Sequence, residues 1–189
     1  MKKITIAAAL LAAAALATPA LAHPGLPGHA HGFLNGLLHP VGGLDHLLAM
    51  IGVGFWSALL VGGAQVFLAP AGFVLAMLAG AALGVNSLYA VETGIALSVV
   101  ALGLLILGRI KLPLVVSVIL IGCFGALHGY AHGSEASGNI AAYMAGFALT
   151  TATLHVLGIG LGRTLAGLPF ATVAAGALMT AAGASLLIS

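Results

Sequence analysis

Eight histidines, one aspartate and two glutamates carry nearly all the chemistry open to this sequence. They are not scattered. His39, Asp45 and His46 stand together in HPVGGLDH, and His128, His132 and Glu135 stand together in HGYAHGSE. Four-residue spacing projects the His128 and His132 imidazoles from one face of a helix, which suits a shared metal ion. His39 and His46 are harder to reconcile. On a continuous helix they would lie about 10 Å apart along the axis. Either the segment before Leu44 folds back, or the two histidines serve different positions on a path. Pro40 fits a first helical position and Gly42-Gly43 permits an irregular start.

Other candidates stand alone. Met50 lies one turn from His46 and offers a softer thioether partner, although core packing is its simpler reading. Glu92 stands where a carboxylate would complement a helix N-terminus; alternatively it is an anionic ligand or proton-binding partner. His155, beside Thr150, Thr151 and Thr153, either lines the inner half of a path or is a hydrogen-bonded histidine of the bundle. His23, His29 and His31 occupy a Gly/Pro-rich stretch of a kind that binds metals.

Imidazole plus carboxylate without thiolate suits Ni²⁺, Co²⁺, Zn²⁺ or Cu²⁺ and disfavours Cu⁺; the residues do not choose among them. The single cysteine, Cys123, lies in an apolar run and provides no cysteine-rich site. No prosthetic group is expected. A metal that is carried would be bound and released, and its affinity should depend on pH because protons compete for the same ligands.

The elements that position these residues follow from composition. The 189 residues are 62% hydrophobic and 4% charged, with mean hydropathy +1.25. A chain so poor in charge cannot cover a water-facing surface, so its solvent must be largely lipid. Residues 1–22 read as a cleavable signal peptide: Lys2 and Lys3, an apolar stretch from Ile4 to Ala17, then Ala20-Leu21-Ala22. Cleavage there would free an amine beside His23. Residues 23–38 then form a periplasmic His/Gly/Pro-rich tail, and residues 39–189 the transmembrane domain.

Within that domain six apolar runs are long enough to span a ~30 Å hydrocarbon core: 40–60, 66–83, 89–107, 112–132, 139–161 and 168–188. The expected fold is therefore all-α, a polytopic six-helix membrane bundle. Short connections suggest that successive helices pack as neighbours. Two groups of three helices would suit an inverted repeat, although no sequence match joins the halves.

With His23 outside, all three mature cations (Arg109, Lys111 and Arg163) fall in cytoplasmic loops, as the positive-inside bias requires. Nearly all the candidate ligands then lie towards the outer face of a bacterial inner membrane. Removing the signal peptide leaves three cations against three anions, so charge argues for no nucleic-acid partner. No G-x-x-x-x-G-K-[ST] phosphate loop is present, so no ATP site of that kind is expected. Four-residue glycine spacings, notably Gly125–Gly129–Gly133, would let helix backbones approach closely in lipid.

The string HPVGGLDHLLAMIGVGFWSA, followed much later by FGALHGYAHGSE, resembles the two signature motifs of the HupE/UreJ family. The likeness extends from the signal peptide through all six runs. It implies a permease rather than an enzyme, carrying nickel or in some relatives cobalt, and supplying hydrogenase or urease maturation proteins. It also implies a ligand set of His39, Asp45, His46, Glu92, His128, His132 and Glu135.

Two other readings keep the same residues. One is a metal-binding accessory or sensor that transports nothing. The other is a haem-binding redox protein or metal hydrolase, against which stands the lack of C-x-x-C-H and H-E-x-x-H.

Overall fold

The computed structural model describes residues 32–83, 90–135 and 139–188, and for Ala90, Ser134 and Glu135 the backbone alone. The expected signal peptide lies outside these residues. All regular structure among them is helical. The helices are α1 (Phe33–Gly42), α2 (Leu44–Leu60), α3 (Leu68–Leu83), α4 (Ala90–Leu107), α5 (Leu114–Glu135), α6 (Ile140–Leu165) and α7 (Pro169–Leu186), with a 3₁₀ turn at Gly63–Phe67 before α3.

Each of the six apolar runs contains a helix. Among the described residues, Gly63–Leu83, Leu114–Gly133, Ile140–Leu165 and Pro169–Leu186 are long and apolar enough to cross a membrane. The α1–α2 pair makes a fifth if it counts as one span, while Val91–Leu107 is shorter. Large apolar side chains point outward along these helices, among them Leu75, Val115, Ile119, Val156 and Leu178, as expected where the surrounding solvent is hydrocarbon.

The first run departs from a single straight helix. Helical structure begins at Phe33, inside the segment expected to be tail, and breaks at Gly43, where the axis turns by 84°. Pro40 brings no backbone N–H to the last turn of α1. Gly43 then adopts an extended conformation (φ −113°, ψ 134°) and α2 starts afresh. A Cβ on Gly43 would collide with the Asp45 carboxylate. A larger residue there would have to push that carboxylate off His46.

Helix pairing follows glycine rather than chain order. Gly125, Gly129 and Gly133 of α5 lie against the backbone of Phe73, Met77 and Ala81 of α3. Gly158 and Gly162 of α6 lie against Ile51 and Phe55 of α2, and Gly54 against His155. Gly103 of α4 meets Thr180 of α7, and Gly176 meets Leu107. The residue numbers rise together in the first two pairs and oppositely in the third, so α3/α5 and α2/α6 are parallel and α4/α7 antiparallel.

The expectation that successive helices are the main neighbours is thus corrected. Without a hydrophobic driving force between helices in lipid, close backbone approach decides the partner, and loop length does not. Exchanging the first three long helices (α2, α3, α4) with the last three (α5, α6, α7) leaves this set of pairings unchanged, as an inverted repeat requires.

Polar ties gather the end that carries the cations. Arg109, in a left-handed turn (φ 49°), donates to the Ala166 carbonyl at 3.0 Å. Trp56 Nε1–H donates to the Ile110 carbonyl at 2.9 Å. Trp56→Phe keeps most of the buried ring but loses this bond. We expect a loss of about 1 kcal/mol, seen as a lower thermal midpoint in detergent.

Candidate metal site

The opposite end of the bundle holds the histidines. α5 runs away from Lys111, and its 18-residue rise from Leu114 to His132 carries His132 about 27 Å along the axis. There α2 begins, α1 folds back across it, and three imidazoles meet. His39, His46 and His132 each offer one ring nitrogen, all within 4.8 Å of one another. The ring centroids of His39 and His132 are 4.3 Å apart, those of His46 and His132 4.7 Å, and those of His39 and His46 5.4 Å. Of the two possibilities left by the His39–His46 spacing, the chain takes the first: it folds back at Gly43.

His46 is the centre of the group. Its Nδ1–H donates to Asp45 Oδ1 at 2.7 Å, and the same oxygen accepts the His46 backbone N–H at 2.8 Å. That tautomer turns the Nε2 lone pair towards His132 Nε2, 2.6 Å away, which donates to it. The carboxylate orients the imidazole, the arrangement that supports metal-binding histidines. Two imidazoles on adjacent positions of one ion, with bonds near 2.1 Å, would sit about 3 Å apart. Replacing the shared proton by a cation therefore needs only a small opening of this pair.

His46 and His132 are buried, whereas His39 is half-buried. His39 thus keeps part of its surface exposed while the other two imidazoles do not. Phe147 and Tyr143 of α6 back the cluster, with Phe147 4.8 Å from the His132 ring and 5.6 Å from His39. Gly146 and Gly36 bring α6 and α1 into backbone contact, which holds this aromatic wall in place. Neither aromatic stood out in the sequence; a Tyr and a Phe one turn apart on an apolar helix give no separate signal.

The remaining candidates fall elsewhere. His128 is fully buried one turn inside His132, its ring 5.3 Å from His46, and its Nδ1–H donates to the Phe124 carbonyl at 2.8 Å. His155 is buried and donates from Nδ1 to the Met50 carbonyl at 2.7 Å. Met50 is fully buried in the apolar core. Glu92 is exposed in the first turn of α4 and is not in the three-imidazole group. Glu135 ends α5, one turn beyond the cluster, and its side chain is outside the description. His23, His29 and His31 lie outside the described residues.

The HupE / UreJ protein family model matches residues 11–186. The chain belongs to the HupE/UreJ family. A curated relative, protein HupE of Rhizobium leguminosarum bv. viciae, is 46% identical over 166 residues, covering 85% of this chain and 86% of that protein. No solved structure matches. HupE/UreJ proteins are accessory membrane permeases, not catalysts.

Asp45 tests the supporting role directly. Asp45→Ala leaves all three imidazoles in place but frees the His46 ring. We expect 10–100-fold weaker Ni²⁺ binding, measured by equilibrium titration of purified protein, with helical content unchanged.

Proposed function

We propose that this protein carries a divalent transition-metal ion, nickel foremost and cobalt next, from periplasm to cytoplasm in support of nickel-enzyme maturation. One observation carries the reading. Three imidazoles from α1, α2 and α5 converge within 4.8 Å, at the end of the bundle away from Arg109 and Lys111. The positive-inside bias puts those cations in the cytoplasm, and so puts the cluster at the outer face of the inner membrane.

His39, His46 and His132 capture the ion, with Asp45 holding His46. By family likeness Glu92, His128 and Glu135 complete the proposed ligand set. The half-exposed His39 meets the ion first. Among the described residues three imidazoles meet, one short of the four ligands of a closed structural site, which suits an ion that must leave again. Protons compete with the metal ion for its ligands, so acidifying the outside weakens capture. The pairing symmetry of the two three-helix halves supports movement of one half against the other around the ion.

The test is flux into proteoliposomes containing only the full-length protein, comparing Ni²⁺, Co²⁺, Zn²⁺ and Cu²⁺ with and without a pH gradient. Saturable Ni²⁺ uptake that falls as the outside is acidified is expected. Binding without flux would overturn transport and leave a metal-binding accessory.

A further inference from the structure

Two buried ring nitrogens are left over by the site just described. His128 Nε2 and His155 Nε2 are shielded from solvent and have no hydrogen-bond partner among the described residues. A buried nitrogen lone pair without a partner is costly and calls for an explanation. The other nitrogen of each ring supplies one. His128 Nδ1–H donates to the Phe124 carbonyl and His155 Nδ1–H donates to the Met50 carbonyl. A carbonyl can only accept, so both rings are held with the proton on Nδ1. Nε2 then carries a free lone pair, the form in which imidazole binds a metal.

The two rings occupy one level of the bundle. His128 is one helical turn inward of His132 on α5. Met50, which anchors His155, is one turn inward of His46 on α2. A turn is about 5.4 Å. Both rings pack on the same phenyl group, with centroids 5.2 Å and 5.1 Å from that of Phe73. The His128 ring also lies 5.3 Å from His46, so it borders the outer cluster on one side and the Phe73 contact on the other. Thr151, one turn before His155, sets its hydroxyl 4.0 Å from Met77 Sδ, so a polarisable thioether stands at the same level.

We propose that His128 and His155 form a second, inner station for the metal ion, distinct from the His39–His46–His132 cluster, which receives the ion through their Nε2 atoms. This moves His128 from the capture site to the step after it. It makes His155, which belongs to neither signature motif, a ligand. The position of the station on a route inward rests on the transport reading; its capacity to bind metal does not.

The substitutions that separate this from a packing role are His155→Asn and His128→Asn. The asparagine amide can still donate to the same carbonyl from roughly the Nδ1 position, but nothing stands where Nε2 was. Full-length protein is titrated with Ni²⁺ alone, and uptake is measured in proteoliposomes.

Each variant is expected to bind one Ni²⁺ fewer than the wild type and to lose uptake at least 10-fold, with the first affinity unchanged in His155→Asn. Wild-type stoichiometry in both variants would overturn the inner station. If wild-type protein shows no flux yet each variant still loses one bound ion, the station stands and transport fails. A His155→Gln variant, which returns a side-chain amide near the Nε2 position, should recover part of the lost binding. No recovery together with an unfolded protein would assign His155 to structure and overturn the proposal.

Discussion

Uptake of Ni²⁺ should fall by about 100-fold or more when His46 is replaced by alanine, with membrane insertion and helical content intact. His46 joins every part of the outer cluster. It meets Asp45 at 2.7 Å and His132 at 2.6 Å, and its ring lies beside those of His39 and His128. Removing it leaves two of the three imidazoles, on α1 and α5, and takes away the ring that Asp45 holds. Losing only the supporting group of a metal-binding histidine typically costs 10–100-fold in affinity, so losing the histidine together with its support should cost more. His132→Ala should act similarly, because it removes the nitrogen facing His46. Uptake at wild-type rates by both variants, at Ni²⁺ concentrations below saturation, would take this cluster off the path.

Much of the architecture could be read before any coordinates because lipid is a strict solvent. Charged side chains are expensive inside it, so the six runs stand out from composition alone, and each contains a helix. The bend at Gly43 was half legible. Pro40, Gly42 and Gly43 announced an irregular start, and the separation of His39 from His46 demanded either a reversal or two sites. Only the fold could choose, because the choice rests on α1 packing against α6 through Gly36 and Gly146, more than a hundred residues apart.

Helix pairing was misread for a related reason. Short loops argue for sequential neighbours, but in a bilayer a loop constrains less than a row of glycines does. The glycine row in α5 was visible; that its partner was α3, with parallel direction, was not. The chemistry shows the same limit. Spacing places His128 and His132 on one face, and the fold gives them different hydrogen-bond partners. Nδ1 of His128 is committed to a backbone carbonyl one turn back, while His132 turns towards His46. Tautomer and partner are tertiary properties, and no residue pattern carries them.

The second large effect comes from a residue with no side chain. Gly129 lies between the two motif histidines of α5, and its α-carbon faces the backbone of Met77. A methyl group there would overlap the Met77 carbonyl. Backbone cannot rotate away as a side chain can, so α3 and α5 must separate. That displaces Phe73, Met77, His128 and His132 together. Overpacking commonly costs 1–3 kcal/mol and occasionally more; because the clash is with backbone, we expect Gly129→Ala to cost about 3 kcal/mol or more and to abolish uptake.

Gly160→Ala is the matched control. Gly160 is also inside a long helix, but nothing lies within 4 Å of the position its Cβ would take. There the higher helix propensity of alanine should stabilise by about 0.5–1 kcal/mol. Propensity alone favours both substitutions equally, so thermal unfolding of the pair in detergent isolates the packing term. Equal midpoints would mean that α3 and α5 are not in backbone contact. The level at which His128 and His132 stand would then need another support.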